Sequence, residues 1–570
     1  MQLHTEIPPS FFEHSSYLGL DTETSGVDPH SDRVLLISLS NGDESIVLEP
    51  GPWIEQLWKV LPEVTMVSHS ASFDLRFLWS LGFKDRPGAV WDTYNIERVL
   101  TAGTHALCDL GSTAWRRIEV MLDKSMQATF IGHMGGAFTD KQLYYSQQDA
   151  AVLLPIMAEQ QRLGQAHGLM PTIELENELT PVIAQMEWDG VGFDKKGWDR
   201  LVEEEGAHAR QVEQQVQQLL ALPTYQIGLF GGELRGINLN SWQQLLPALN
   251  RIGIGVENTK AATFDFWLVH HPQDVVIERI KEYRHIVKLL GFDYGKWVHP
   301  ATGRIHPDLR QTGTTTGRLS SANPNEQNVP TDRRYRGLFV AKQDWLMVTA
   351  DYGQQEMRIM AEMSQDPVLL EICREHDVHV ENGKRIFQVA DVTYDQRRIA
   401  KNTGFALIFG AKAERVALMT GIPLDEAELI VDYTKTTFTR VEPWAAEQIR
   451  LADTRGYVTT IGGRRRYFQR RDERAKDDFI MNQARNAPIQ GTAADMTKTA
   501  LVGIDRRLME KGSQARLVLT IHDEAVVEAP KDEAQDVAQI VTEEMSAAGE
   551  HYVKSVPIPV NVSVESYWAK

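Results

Sequence analysis

The stretch LVLTIHDEAVVEAP, Leu517–Pro530, is written in the apolar, β-branched vocabulary of a buried strand, yet His522, Asp523 and Glu524 interrupt its centre. A charge left alone in a core costs several kcal/mol unless it is paired or holds a metal. The interruption is therefore read as a break between two strands, about Arg516–Ile521 and Glu524–Ala529, folded at His522 and Asp523. Two-residue hairpin turns favour pairs such as Asn-Gly, so this tip breaks a local rule, as happens where function dictates the residue. A hairpin of this kind presents Asp523 at its end instead of burying it.

A second acid stands in a matching position. In WLMVTADYGQQEMRIMAEMSQD a strand runs into Asp351 and then gives way to helical spacing, with Met357, Met360, Ala361 and Met363 available for a core face. Downstream, RRIAKNTGFALIFG sets Arg397, Lys401, Phe405 and Phe409 at intervals of four, a drift of about 40° per step around a helix. One face then offers two cations followed by two rings, which suits a phosphate clamp leading to a ring platform. The same pattern suits a partly buried helix with solvated basic residues at its start.

A separate group of acids lies near the beginning. Asp21 and Glu23 in GLDTETSG are two apart on a strand and point to one face, where they repel each other unless a cation lies between them. A solvated strand end is the plainer reading of an isolated pair. Asp74 follows a strand end in HSASFDLRFL, and in YYSQQDAAVLL Tyr145 precedes Asp149 by four, one helical turn.

At 570 residues the chain is too long for a single core and should hold several domains. Strand-like runs such as YLGLDTET, RVLLISLS and SIVLEP, with helical pattern after about residue 70 and an end near 165, suit a compact α/β unit. A long amphipathic helical region follows, and helices are then inserted between two strand-bearing pieces. There is no run of about 18 apolar residues and no basic-apolar leader at MQLHTEIPPS, so a soluble protein kept in the cytoplasm is expected. Cys108 and Cys373 alone make neither a disulfide framework nor a thiolate metal site. The net charge of −19 argues against indiscriminate coating of nucleic acid, so any binding groove must be local.

Taken together, the acids Asp21, Glu23, Asp74 and Asp149 with Tyr145 resemble the DEDD-type 3'-5' proofreading exonucleases in their Tyr variant. The Asp351, Arg397–Phe409 and His522–Glu524 segments resemble the polymerase motifs of family A DNA polymerases. MEWDGVGFD, INLNSWQQL, TGRIHPDL, TTTGRLSSANPNEQNVP, GYVTTIGGRRR and NAPIQGTAADMTKTAL resemble further segments of that family in the same order, covering the chain from about residue 15 onward. The resemblance implies a multidomain α/β and α+β protein: an RNase H-like exonuclease domain (1–165) followed by a right-hand polymerase. Its parts would be a thumb (166–300), palm (301–365 and 490–570) and fingers (366–489). With the exonuclease motifs starting at residue 21, no 5'-nuclease domain is expected, and the layout resembles compact phage or viral members.

The resemblance also implies roles. Asp351 and Asp523 would hold two Mg²⁺ ions with Glu524 in support, and Asp21, Glu23, Asp74 and Asp149 two more, with Mn²⁺ as a substitute and Tyr145 orienting the water. Arg397, Lys401, Phe405, Phe409, Gln354, Glu356 and His379 would bind the dNTP, Glu356 excluding a ribose 2'-hydroxyl. Arg318, Gln490 and His522 would touch primer-template DNA, and Arg464, Arg465 and Arg466 in GGRRRYFQRRDERAK its phosphates, although an isolated basic run is more often a solvated face. The implied partners are primer-template DNA, dNTPs and a single-stranded 3' end, bound by a monomer.

Some positions depart from the family pattern. Ser70 stands where Asn is usual, Phe409 where Tyr is usual, Thr520 where Gln is usual, and Asp332 and Asn482 where Arg is common. Phe409 has no hydroxyl to offer Glu356, so sugar discrimination is expected to rest more on packing. A nuclease whose polymerase half only binds primer ends, and a noncatalytic DNA-binding scaffold, are the competing readings. Retention of Asp351 and Asp523 with the Arg397–Lys401–Phe405 face weighs against the first, and two sets of metal-ligand acids, repulsive when empty, weigh against the second.

Overall fold

The computed structural model describes the chain apart from residues 1–2, 9, 14–15, 134, 221–225, 228–232, 235, 409, 411, 469–477 and 570, and gives no side-chain environment at 226–227, 233–234, 405–408 and 478. The amino-terminal unit is built on a five-stranded sheet: β1 (Tyr17–Thr24), β2 (Val34–Ser40), β3 (Ser45–Leu48), β4 (Thr65–Ser68) and β5 (Ala89–Asp92), in spatial order β3-β2-β1-β4-β5. β1, β2 and β3 pair antiparallel, while β4 and β5 join in parallel register. β2 reads VLLISLS without alternation because it is buried along its whole length.

On β1 the period-two alternation does the sorting. Leu18 and Leu20 enter the core with Ile37 and Met66, so Asp21 and Glu23 emerge on the other face. That face is covered by the helix Asp140–Ala151, which approaches so closely that a Cβ on Gly19 would lie 3.1 Å from the Ala150 carbonyl. The helix is opened by a capping box between Thr139 and Gln142.

The helix Met170–Asp189 joins the two halves of the protein. Its Ala184 belongs to the amino-terminal core, whereas Leu179, Val182, Ile183 and Met186 belong to the largest core of the carboxyl-terminal half. A boundary at residue 165/166 thus assigns to the thumb a helix that is shared. The helical region expected to be a thumb has a separate core starting at Val212, where the helix Lys195–Leu219 meets Trp242–Arg251, Ala261–His270 and Val275–Leu290.

Four antiparallel strands form the second sheet, in order Arg516–Ile521, Glu524–Pro530, Trp345–Tyr352, Val560–Glu565. Val348, Ala350 and Tyr352 lie beneath the helices Asp478–Glu510 and Ala534–Tyr552 in one core, and Met347 faces the other way into a second core. Asp351 shares the parity of Met347 and so sits on the face away from those helices. Helices between Pro367 and Thr454 are inserted after the Trp345–Tyr352 strand. The fingers–palm boundary expected at 489/490 falls inside the uninterrupted helix Asp478–Glu510, which runs through Pro488.

Two candidate active sites

At the first site, carboxylate oxygens of Asp21, Glu23 and Asp149 lie within 4.8 Å of one another. Burial and the Asp149 charge push Asp21 up to about 7, with Lys124 opposing them. Burial, then Asp21 and Asp149, push Glu23 up to about 9. Asp149 is also raised by burial, against the pull of Lys124, and burial with Asp149 and Glu23 keeps the Tyr145 phenol protonated. Asp74 is buried on the helix Ala71–Ser80 and takes a different partner: its Oδ1 accepts from the Thr22 amide at 3.0 Å and hydroxyl at 2.7 Å. It is near enough for the Asp21 charge to raise it, after burial, but it stands outside the tight group of three.

Lys124 is the residue that sequence reasoning missed here. Its Nζ donates to Asp149 Oδ2 at 2.5 Å and to the Tyr145 hydroxyl at 3.1 Å, and lies 4.9 Å from the centre of the Tyr145 ring. Close-set acids raised by one another's charge, with a lysine among them, form a place built for positive charge. Their hard oxygens fit Mg²⁺ or Mn²⁺.

The second site is a cleft of about 380 Å³, lined by the acids Asp351 and Asp523 together with His379, Arg397 and Lys401, and by Arg318, Gln354, Glu356 and His522. The hairpin folds as the sequence implies: Ile521 pairs with Glu524, leaving His522 and Asp523 as the turn, with His522 at φ 56°. Asp351 is the penultimate residue of the neighbouring strand, opposite Glu524, and the Tyr352 amide donates to the Asp523 carbonyl at 3.4 Å. Arg397 places Nε and Nη2 on Asp377 Oδ2 at 2.9 and 2.8 Å. Lys401 is exposed. Burial, together with the charges of Lys401 and Arg397, pushes His379 down to about 4, outweighing Asp377, so it is neutral at pH 7. Two acids facing several cations fit metal ions carrying an anionic ligand.

Arg318 and Glu356 form an ion pair through Nη2 and Oε1. Gln354 sits in the left-handed region at φ 48° just before the helix Gln355–Ser364. Arg358, also unforeseen, is fully buried and donates to carbonyls of Gly353, Cys373, Glu375 and Pro557, fixing the backbone around that helix start.

Several expectations are corrected or lie elsewhere. Glu524 is buried and does not line the cleft, because its carboxylate accepts from the Trp568 indole and from Arg336 Nη1 at 3.3 Å. Arg464 cannot reach template phosphates. It is 4% exposed, with Nε on Asp495 Oδ1 at 2.7 Å and Nη2 on Glu176 Oε1 at 2.5 Å, and Lys498 Nζ shares that Glu176 oxygen. Burial opposes the Arg464 charge, but the two carboxylates outweigh it. Arg465 is turned to the His167 carbonyl and Arg466 to Gln483 at 2.8 Å, so both are held by protein groups while still partly accessible. Gln490 lies one turn before Ala493 and Ala494, which line the cleft, but does not line it itself. Phe405 lies on the helix Tyr394–Ile408 with no described side chain, and Phe409 lies outside the described residues.

Residues 207–570 match the family described as "DNA polymerase family A", and residues 10–163 match that described as "3'-5' exonuclease". The thermostable DNA polymerase I of Thermus aquaticus is 35% identical over 417 residues, covering 69% of this chain and 48% of that protein. The DNA polymerase I of Chloroflexus aurantiacus is 32% identical over 545 residues, covering 89% of this chain and 55% of that protein. The chain therefore spans about half the length of these curated relatives. Its fold is similar to that of the POL domain of Pol1 from M. smegmatis, solved in complex with DNA primer-template and dNTP, with a TM-score of 0.86, 24% identity and 99% coverage of each chain.

Proposed function

This chain belongs to DNA polymerase family A, and from that premise we propose that it extends a primer 3'-hydroxyl with dNTPs on a DNA template and removes mispaired 3' ends by 3'-5' exonucleolysis, in the cytoplasm. The observation that carries the reading is the single cleft lined by Asp351 and Asp523 together with His379, Arg397 and Lys401. A nuclease alone has no use for it. Asp351 and Asp523 would hold one pair of Mg²⁺ or Mn²⁺ ions, and Asp21, Glu23 and Asp149, with Asp74 nearby, the other. When bound, such ions activate the attacking oxygen and neutralise charge on the leaving group.

The protein's own groups do the rest. Arg397, exchanging Asp377 for phosphate oxygens, and Lys401 hold the triphosphate, since guanidinium and ammonium both suit phosphate. Neutral His379 contributes a hydrogen bond without competing charge. Glu356 stands at the dNTP sugar and Arg318 and His522 at the primer end. In the exonuclease unit the protonated Tyr145 hydroxyl orients the attacking water, as in the Tyr variant of these enzymes.

Primer extension and degradation assays on the full chain test the reading. Asp523→Ala should abolish extension and spare degradation, and Asp21→Ala should do the reverse. Wild-type protein that degrades but never extends would leave the nuclease reading, and one with neither activity the scaffold reading.

Among the described residues, no helix is long and apolar enough to cross a membrane.

A further inference from the structure

A continuous set of polar contacts leads from the exonuclease unit to the polymerase cleft through the segment Gln311–Arg318. Asp92 accepts from the amides of Ser70 and Ala71, each at 3.0 Å, at the start of the helix that carries Asp74, and from Asn95 Nδ2 at 2.9 Å. Asn95 Oδ1 in turn accepts from the Thr312 hydroxyl at 2.8 Å, and Arg98 Nε donates to the Thr312 carbonyl at 2.7 Å. Gln311 is tied to the shared helix through Glu176. Thr312 is buried, so these are contacts of the interior and not of a mobile surface.

The far end of the segment is equally constrained. The Thr314 hydroxyl donates to the Arg318 carbonyl at 3.1 Å, and the Gly317 amide to the Thr314 carbonyl at 3.2 Å. Gly317 takes φ +87° against the buried Arg464, where any Cβ would lie 2.7 Å from the guanidinium Nε. Arg318 then emerges into the cleft beside Asp351 and Asp523 and meets Glu356. Exonuclease-unit groups thus grip the base of a short strap whose tip is an arginine at the polymerase centre.

We propose that Thr312 is a positioning residue for DNA synthesis: its bonds to Asn95 and Arg98 hold Arg318 in register with the primer end, so the exonuclease unit supports extension apart from its own chemistry. The inference rests on the polymerase reading given above. Neither Thr312 nor Arg98 lines the cleft, so neither touches the reacting groups, and the strap is the covalent route from Thr312 to Arg318.

The test uses the full chain in an Asp21→Ala background, so that degradation does not obscure extension. Thr312→Val removes the hydroxyl at nearly constant shape, and Thr312→Ser keeps it. Thr312→Val should raise KM for matched primer-template about fivefold, the factor expected from one net hydrogen bond of ~1 kcal/mol, with a smaller change in kcat. Thr312→Ser should behave as wild type, Arg98→Met should share the defect, and Thr312→Val combined with Arg318→Met should be no worse than Arg318→Met alone. Equal KM values for the Val and Ser variants, or additive losses in the double variant, would overturn the strap while leaving polymerase activity established. Failure of the background protein itself to extend would bring down the polymerase reading and the strap with it.

Discussion

The carboxylates of the exonuclease unit should make the metal-free protein less stable as pH rises across neutrality. Asp21 moves from 3.8 to about 7 and Glu23 from 4.5 to about 9 on folding. The folded state therefore retains protons that the unfolded chain has already lost. The stability tied to these protons is fully present below about pH 4 and is lost as pH rises through 7 and then 9. Each retained proton contributes a slope of roughly 1.4 kcal/mol per pH unit, over about one unit for Asp21 and about three for Glu23, so the loss between pH 6 and pH 9 should be on the order of 5 kcal/mol. Asp74 and Asp149, also raised, act in the same direction. Scanning calorimetry of the full chain in EDTA should show the exonuclease transition moving down over this range, and Mg²⁺, which binds the ionised form, should reverse the trend. Glu23→Gln removes one titrating group at nearly constant shape and should flatten the profile between pH 7 and pH 9. An EDTA profile that is level from pH 6 to pH 9, or a Glu23→Gln profile as steep as wild type, would refute the reasoning.

Lys124→Met removes the cation that competes with metal for Asp149; in an Asp523→Ala background it should tighten Mn²⁺ binding roughly tenfold by calorimetry, a change of ~1.4 kcal/mol, while lowering the metal-free melting temperature. Unchanged affinity would mean that the lysine and metal do not compete. Ser70 holds φ 71°, ψ 53°, a conformation that costs most L-residues about 1–2 kcal/mol and Asn less, so Ser70→Asn should stabilise the exonuclease transition by about 0.5–1 kcal/mol in the same calorimeter. Arg464→Met takes the cation from buried Asp495 and leaves Glu176 with Lys498 as its remaining ion-pair partner, and should cost about 3–5 kcal/mol, read as a lower chemical-denaturation midpoint; a change under about 1 kcal/mol would contradict the burial of that network.

The sequence was legible where local periodicity and function coincide. The hairpin tip could be placed because the apolar, β-branched runs on either side are interrupted by three adjacent ionisable residues, His522–Glu524, and its observed strands agree to one residue. The acids of the first site were legible because D-x-E on a strand and Tyr-x-x-x-Asp on a helix are local facts. What was not legible depends on partners far along the chain. GGRRR reads as a basic surface until Glu176, from a helix nearly 290 residues earlier, takes the first arginine into the interior. Glu524 reads as a catalytic acid until Trp568 and Arg336 claim it. Lys124 sits alone in a short 3-10 turn, and no local pattern connects it to Asp149. The expected boundary at 489/490 falls within one helix that runs on through Pro488, a continuity that packing against distant elements sets and no local pattern announces.

The strand order of the second sheet also sets the sequence of events on the ribosome. Trp345–Tyr352 lies between Glu524–Pro530 and Val560–Glu565, both made more than 170 residues later, whereas every strand of the first sheet is complete by Asp92. The exonuclease sheet can close while the chain is still growing, and the strand that carries Asp351 must wait for its neighbours with its apolar face uncovered. Domains completed early fold as units during synthesis, and long-range pairings form late and expose sticky intermediates. A nascent chain interrupted before residue 565 would thus carry a formed exonuclease sheet beside an unfinished polymerase sheet, so truncated products should be enriched in degrading over synthesising capacity.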